Sequence, residues 1–255
     1  MKIGFFDSGI GGLSVLHHAL QKLPAEQFLY YADVSHVPYG EKSEAQILSY
    51  VDAAVDYMLA QGVKAVVLAC NTATSVAAAS LRRRCPLPVI GMEPAVKRAL
   101  DLYGERRVLV AATPITVRGE KLRTLIERVD SRHLADMLPL PELVRFAEAG
   151  IFDAPEVEEY LRGALAGYEL EQYSSLVLGC THFNFFKDSF RRVLPESVKF
   201  VDGNEGTVNQ LIRELDRCGL HEHGRQSVEY HVSGKYTPEY IAALFARLDA
   251  MSLIG

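Results

Sequence analysis

The sequence predicts an α/β fold made of two similar halves with mostly parallel sheets, and an active site in the crevice between them. Apolar runs of strand length alternate with longer helical patterns along the chain, which is typical of βαβ units. Two of these runs lead into Cys70 and Cys180 in matching segments, VVLACNTAT and LVLGCTHFN, 110 positions apart. Small hydrogen-bonding residues follow each cysteine, which indicates a buried strand that ends at a polar site.

Each element is assigned from its hydrophobic period and its flanking residues. In the first half, the predicted strands are Lys2–Phe6, Phe28–Ala32 and Lys64–Ala69, and the predicted helices are Gly12–Leu23 and Ser43–Gln61. In the second half, the predicted helices are Pro94–Tyr103, Val117–Val129 and Pro155–Tyr168, and the predicted strands are Arg107–Ala111 and Ser175–Leu178. The tail adds strand Val228–Val232 and helix Thr237–Leu248, which are expected to pack on the first half. The basic cluster Arg82–Arg84 is interpreted as a solvated helix end.

The duplication also predicts the domains. A shift of 110 residues superimposes the cysteine segments and brings the strand at Lys2 within about five positions of the strand at Arg107. Polar loops, Asp7-Ser8 and Thr113-Pro114, follow these two strands. Ligands of open α/β sheets bind at the carboxyl ends of the strands, so both loops are expected at one crevice. The predicted domains are residues 1–95 with 207–255, and residues 96–206.

Composition and charge exclude several classes of protein. The chain has 255 residues, of which 49% are hydrophobic, so it can bury one or two sizeable cores. A net charge of −5 argues against binding nucleic acid, which requires clustered basic residues. No apolar run approaches the roughly 20 residues of a membrane span. The opening MKIGFFDSGIGG lacks the pattern of a secretory signal, so a cytoplasmic protein is expected.

Three uses of the paired thiols compete. A structural disulfide is disfavoured in the cytosol. A metal site is disfavoured because zinc spacings such as C-x-x-C are absent, and none is predicted. The third use is acid/base catalysis, in which one thiolate removes a proton from a carbon and the opposite thiol returns one. The other cysteines, Cys85 and Cys218, are expected to be passive, the first before a proline loop and the second at a helix end.

The loop DSGIGG after the first strand lacks the spacing of the common nucleotide-binding motifs. Its backbone N–H groups, at a helix N-terminus, are expected to be available to a small anion. Asp7 lies at the strand tip, where a buried carboxylate needs a partner, so it is expected to bind a substrate ammonium or to assist a thiol.

Taken together, four ordered motifs and a tail segment resemble the cofactor-independent glutamate racemases of the aspartate/glutamate racemase family. They are FDSGIGGLSVL from Phe6, YYADVSHVPYG from Tyr30, VLACNTATS from Val67, LVLGCTHF from Leu176, and YHVSG from Tyr230. The resemblance spans nearly the whole chain. It implies interconversion of L- and D-glutamate for bacterial peptidoglycan, with no cofactor and in a homodimer.

The resemblance also implies the site residues. Cys70 and Cys180 would be the catalytic bases, with Asp7 assisting Cys70 and His182 assisting Cys180. Glu148 falls where the family carries a further acidic residue. The implied substrate contacts are Asp7, Ser8, Tyr39, Gly40, Asn71, Thr72, Thr113, Thr181 and His182.

Some features leave alternatives open. Asn184 replaces a common proline of the family and is expected to loosen the turn after Cys180. An aspartate racemase is the runner-up among enzymes, and His182 after Cys180-Thr181 favours glutamate. A hydrolase or transferase with Cys180 as nucleophile and His182 as base is a second alternative. A spacing of two residues is expected to be poor geometry for that pair. A small-molecule binding protein without catalysis is the third.

Overall fold

The computed structural model describes residues 1–92, 95–232 and 236–254 of the chain. Pro94, the predicted start of a helix, lies outside the described residues, as do Ser233 and Gly234 of the tail segment YHVSG. The strands are β1 (Lys2–Asp7), β2 (Gln27–Ala32), β3 (Ala65–Leu68), β4 (Val89–Gly91), β5 (Arg107–Ala112), β6 (Ala135–Pro139), β7 (Tyr173–Leu178), β8 (Lys199–Asp202) and β9 (Ser227–Val232).

The helices alternate with these strands. They are α1 (Leu13–Lys22), α2 (Glu44–Ala60), α3 (Asn71–Arg84), α4 (Ala95–Tyr103), α5 (Pro114–Arg118), α6 (Glu120–Val129), α7 (Pro141–Glu148), α8 (Pro155–Leu165), α9 (Lys187–Val193), α10 (Asn204–Cys218) and α11 (Pro238–Ser252). Short 3-10 helices lie at Tyr39–Glu41, Leu170–Gln172 and Thr181–Phe186. No helix in the described parts of the chain combines the length and the apolar character needed to cross a membrane.

The chain divides into two compact units. The first is Met1–Glu93 with Asn204–Phe245, and the second is Pro94–Gly203 with Ala246–Gly255. This division gives the end of the chain to the second unit, whereas the sequence-based domains give all of 207–255 to the first. Strand β9 pairs with β2 of the first unit, so the prediction for the tail strand is confirmed.

The sheets of the two units share one topology. The first unit has the strand order β4-β3-β1-β2-β9, and the second has β8-β7-β5-β6 when its order is given in the same direction. Each strand pair in the described residues is parallel. Strands β1 to β4 therefore correspond to β5 to β8, and β9 is an addition to the first sheet. The predicted α/β class, with two similar halves and parallel sheets, is confirmed.

Local sequence explains where several helices begin. Ser43 caps α2 in a capping box, because its hydroxyl accepts from the Gln46 backbone N–H while the Gln46 side chain accepts from the Ser43 backbone. Proline stands at the first position of α5, α7 and α8, where its missing N–H costs nothing.

The predicted helix Val117–Val129 is wrong in its bounds. The structure has α5 and then α6, with Gly119 in an extended conformation between them. The sequence-based elements also lack β4, β6, β8, α7 and α9, and they include α3 and α10 only by their C-terminal ends. These strands are only three to five residues long, which is too short to show a clear hydrophobic periodicity.

Candidate active site

Cys70 lies just beyond β3, at the carboxyl end of the first sheet. The backbone N–H of Ala69 donates to the Phe6 carbonyl of β1 at 2.7 Å, which fixes the chain next to the cysteine. The Cys70 thiol is the N-cap of α3 and accepts from the Ala73 backbone N–H at 3.5 Å. Ser8 Oγ lies 3.7 Å from the same sulfur. Since a helix N-terminus favours negative charge, this position suits a thiolate.

Cys180 occupies the corresponding place in the second unit. The backbone N–H of Gly179 donates to the Ala111 carbonyl of β5 at 2.7 Å. A Cβ on Gly179 would lie 2.7 Å from that carbonyl oxygen, so only glycine allows the two strands to approach this closely before the cysteine. Both cysteine side chains are buried, with relative exposures of 6% for Cys70 and 7% for Cys180.

A histidine and a carboxylate form a hydrogen-bonded chain that begins at Cys180. His182 Nδ1 lies 3.7 Å from the Cys180 sulfur, and His182 Nε2 lies 2.6 Å from Glu148 Oε1. Burial by itself would lower the pKa of His182, but the hydrogen bonds with Cys180 and Glu148 outweigh it and hold the pKa well above the usual value. The cysteine, histidine and carboxylate thus form one connected group, in which the imidazolium form is favoured.

The Asp7 carboxylate lies at the end of β1 and is fully buried. Its Oδ2 accepts from the backbone N–H groups of Gly9 at 3.1 Å and Gly12 at 2.9 Å. A Cβ on Gly12 would lie 2.6 Å from the Asp7 Cβ, which explains the glycine at this position. The expectation that the loop amides are available to an external anion is wrong for these two, because Asp7 already binds them.

Tyr39 is buried in the short helix Tyr39–Glu41, and its hydroxyl donates to Asp33 Oδ2 at 2.6 Å. Asp33 was not among the residues singled out from the sequence. Its signal was available there, because it is a carboxylate directly after a predicted strand, as Asp7 is. Burial first, and then the bond and charge of Asp33, raise the pKa of Tyr39, and the charges of Cys70 and Asp7 act in the same direction.

The other predicted substrate contacts divide between the units. In the first unit, Ser8, Gly40, Asn71 and Thr72 lie after β1, after β2 and after β3. The side-chain Oδ1 of Asn71 is buried without a hydrogen-bond partner among the described residues. In the second unit, Thr181 is buried next to Cys180. Thr113 is the residue before α5, beyond β5, and its hydroxyl donates to the Thr116 hydroxyl at 3.0 Å.

Two expectations about the second cysteine are wrong. A spacing of two residues was expected to be poor geometry for a thiol and an imidazole, yet the turn after β7 brings Cys180 and His182 into contact. Asn184 was expected to loosen this turn. Instead its buried Nδ2 donates to the Thr181 carbonyl at 3.2 Å and closes the turn.

Among the described residues, no group of three or more His, Cys, Asp or Glu side chains is arranged to hold a metal ion. The described cysteines are all free thiols. Cys85 directly follows α3 and Cys218 ends α10, as predicted.

The sequence model of the Asp/Glu/hydantoin racemases matches residues 13–211. The chain is also 59% identical over 240 residues to the glutamate racemase of Campylobacter curvus, which covers 91% of this chain and 90% of the relative. The chain belongs to the Asp/Glu/hydantoin racemase family.

Solved structures of racemases share its fold. A glutamate racemase from Thermus thermophilus is 35% identical, with a TM-score of 0.78 over 97% of this chain and 92% of that one. A glutamate racemase isoform from Bacillus anthracis is 26% identical, with a TM-score of 0.85 over 98% and 94%. The family resemblance predicted from the motifs is confirmed, and the protein is a racemase, an isomerase that acts on amino acids.

Proposed function

We propose that this racemase interconverts L- and D-glutamate without a cofactor, with Cys70 and Cys180 as its two bases. The observation that carries the proposal is the pair of buried thiols at corresponding strand ends of the two units. The names of the relatives support glutamate as the substrate.

The reaction moves one proton in each half-step. Starting from L-glutamate, the Cys180 thiolate takes the proton from Cα, and the Cys70 thiol delivers a proton to the opposite face of the carbanion. Cys180 ends as a thiol and Cys70 as a thiolate, ready for the reverse reaction with D-glutamate. This scheme requires the two sulfurs to flank the bound Cα.

The assisting groups differ between the two cysteines. His182, held by Glu148, stabilises the Cys180 thiolate before that thiolate takes the proton of L-glutamate. Asp7 assists Cys70 with D-glutamate. It directly precedes Ser8, whose hydroxyl lies 3.7 Å from the Cys70 sulfur, and its carboxylate accepts from the Gly12 backbone N–H.

The substrate contacts supply the remaining stabilisation. The α-proton of an amino acid is far less acidic than a thiol, so the site must favour the carbanionic transition state through preorganised hydrogen bonds. Hydroxyl and amide groups at the strand ends suit this task. They are provided by Ser8, Tyr39, Gly40, Asn71, Thr72, Thr113 and Thr181.

We further propose that the product supplies D-glutamate for peptidoglycan, and that the enzyme acts as a cytoplasmic homodimer. Both follow from the family resemblance. Light scattering of the purified protein measures its mass in solution and tests the dimer directly.

The deciding experiment uses dialysed protein and L-glutamate in deuterated water without added cofactor. The expected result is loss of optical rotation together with incorporation of deuterium at Cα. NMR detects the deuterium as loss of the α-proton signal. If L-glutamate stays inert and L-aspartate reacts, the proposal that glutamate is the substrate is wrong. If neither reacts, the hydrolase and binding-protein alternatives return.

A further inference from the structure

Arg247, in the second half of α11, is the centre of a polar cluster in the second unit. Its Nε donates to the Phe185 carbonyl at 2.8 Å. Its Nη atoms donate to Asp153 at 2.9 and 3.2 Å and to Asp188 at 2.9 and 3.0 Å. The Arg247 side chain is only 15% exposed, so most of it is withdrawn from water. The planar fork of the guanidinium thus holds three separate points of the chain at once.

Aromatic packing adds to this cluster. The Arg247 Cζ atom lies 4.7 Å from the centre of the Phe152 ring, a distance at which a cation is attracted to the face of the ring. The same ring packs on Phe185 and Phe186, with centroids 5.5 and 5.6 Å away. Phe185 and Phe186 are fully buried. The segment of Phe152 is therefore fixed against the 3-10 helix that carries Phe185, both by ring packing and by Arg247.

The two segments that Arg247 joins also carry the hydrogen bond between Glu148 and His182. Glu148 ends α7, four residues before Phe152. His182 lies in the 3-10 helix, three residues before Phe185. The 2.6 Å bond from His182 Nε2 to Glu148 Oε1 and the Arg247 cluster are thus two links between the same segments. The cluster therefore limits how far Glu148 can move from His182.

The Glu148 bond affects the protonation of His182. This bond and the contact with Cys180 raise the pKa of the imidazole well above its usual value, although burial acts in the opposite direction. Hydrogen bonds weaken steeply when their distance and angle depart from the optimum. A shift of α7 away from the 3-10 helix therefore weakens the bond, and the imidazole then loses its proton more easily beside Cys180.

We propose that Arg247 is a positioning residue, which keeps Glu148 within hydrogen-bond distance of His182 and so keeps the imidazole oriented towards Cys180. The inference rests on the proposed function, because it concerns the histidine that assists Cys180 in that scheme. The role is indirect, since Arg247 acts through the Glu148–His182 bond. A role in stability alone predicts a less stable protein in which the properties of His182 are unchanged.

The test compares Arg247→Met with Arg191→Met, a matched control in the same unit. Arg191 donates to the Pro195 and Val198 carbonyls at 2.9 and 2.8 Å, and its Cζ atom lies 4.5 Å from the centre of the Phe200 ring. Both changes thus remove a guanidinium from an aromatic ring and from backbone acceptors. The contacts of Arg191 with these three residues involve neither α7 nor the 3-10 helix, so this variant reports general destabilisation.

The first readout is the NMR titration of His182, identified by the signal that His182→Asn loses. Arg247→Met is expected to lower the pKa of His182, in the same direction as Glu148→Gln, and Arg191→Met should leave it unchanged. Removal of a nearby cation by itself raises the pKa of an imidazole, so a fall has to come through the weakened Glu148 bond. An unchanged or raised pKa in Arg247→Met, or an equal fall in Arg191→Met, overturns the proposal.

Activity gives the second readout. Arg247→Met is expected to lower kcat/KM about tenfold, mainly through kcat, because a misplaced assisting group slows proton transfer. The double variant with Glu148→Gln should be no slower than Glu148→Gln alone, because Arg247 acts through that bond. Multiplication of the two effects, or a loss confined to KM, overturns the link. Arg191→Met should stay within about twofold of wild type.

Arg247→Lys keeps the proposal testable if Arg247→Met folds poorly. A lysine retains a cation for Asp153 and Asp188 but has no rigid fork that reaches Phe185 at the same time. A smaller fall in the pKa of His182 is expected, and a wild-type value overturns the proposal. If the wild-type protein proves inert towards glutamate while the pKa of His182 falls in Arg247→Met, the proposed function fails and the link between Arg247 and His182 stands.

Discussion

The residue before each cysteine is held in the same way in the two units. Ala69 donates to Phe6 in the first, and Gly179 donates to Ala111 in the second, both at 2.7 Å. The groups around the sulfurs are not repeated. At the end of β1 stands Asp7, where the end of β5 has Ala112.

His182 has no counterpart in the first unit either. His182 follows Cys180 by two residues, and the residue two after Cys70 is Thr72. Cys70 instead caps a full α-helix, whereas Cys180 precedes a 3-10 helix and contacts His182. The two units thus share their strand order but differ in the side chains around the cysteine, which is expected if each cysteine receives a proton from a different enantiomer.

The largest expected effect comes from removing either thiol. Cys70→Ala and Cys180→Ala should each lower racemisation by about 10³-fold or more, because no other group can take over the proton transfer. Cys180→Ala retains Cys70 and should slowly exchange the α-proton of D-glutamate without inversion, and Cys70→Ala should do so with L-glutamate. NMR in deuterated water measures both.

Cys85→Ser is the matched control for these variants, because Cys85 lies at the opposite end of α3 from Cys70. It should racemise like wild type. Wild-type turnover in either Cys70→Ala or Cys180→Ala would end the two-base scheme.

The ion pairs at the amino ends of the strands give a second contrast between the units. Lys64 Nζ lies 2.6 Å from Glu26 in the first unit, and both side chains are almost fully buried. Lys64→Met leaves the Glu26 carboxylate buried without its ammonium partner, so a loss of about 3–5 kcal/mol in unfolding free energy is expected in urea denaturation. Adding Glu26→Gln should recover part of it. A loss below about 1 kcal/mol for Lys64→Met would mean that water reaches this pair.

The histidine group of the second unit should matter less than the thiols. His182→Asn and Glu148→Gln are expected to lower kcat/KM by about 10- to 100-fold. The two enantiomers have equal free energies, so kcat/KM must fall by the same factor in both directions. The asymmetry should appear as a larger primary deuterium isotope effect from L-glutamate than from D-glutamate. Equal isotope effects would show that His182 does not act on one cysteine selectively.

Glu148→Gln should also change the pH dependence. Glu148 helps to raise the pKa of His182, so its loss lowers that pKa and should move the alkaline limb of the kcat/KM profile to lower pH. A group with a raised pKa stabilises the fold below its unfolded pKa, about 6.5, and loses that contribution as pH rises through the folded value. The difference in unfolding free energy between wild type and Glu148→Gln should therefore shrink towards alkaline pH.

The smallest effect is expected for the strand-end pair of the second unit. Arg107 binds Asp136 at 2.5 Å, but both side chains are about a third exposed. Arg107→Gln should cost roughly 0.5–1 kcal/mol at pH 7. The hydrogen bond from Arg107 lowers the pKa of Asp136, so this contribution is present above about pH 4 and is lost as pH falls through the lowered value. A difference that persists in acid would point to packing instead of charge.

The sequence was informative where a local pattern was long or repeated. The cysteine segments, the helix end at Arg84 and the strands beside Cys70 and Cys180 were predicted because their apolar runs and their flanking residues are distinctive. The short strand β6 and helix α7 were not predicted, because segments this short show no clear hydrophobic periodicity. Glu148 at the end of α7 was therefore placed by family resemblance alone.

The sequence by itself determined that the protein has two parallel α/β halves, each with a cysteine after a buried strand, because the hydrophobic period and the duplicated segment are local properties. Only the tertiary structure decided which side chains meet those cysteines. Glu148 reaches His182 across 34 positions, and Asp7 binds the loop amides of Gly9 and Gly12 instead of leaving them open. Such contacts depend on strand order and on the close approach allowed at Gly179 and Gly12, which no short stretch of sequence encodes.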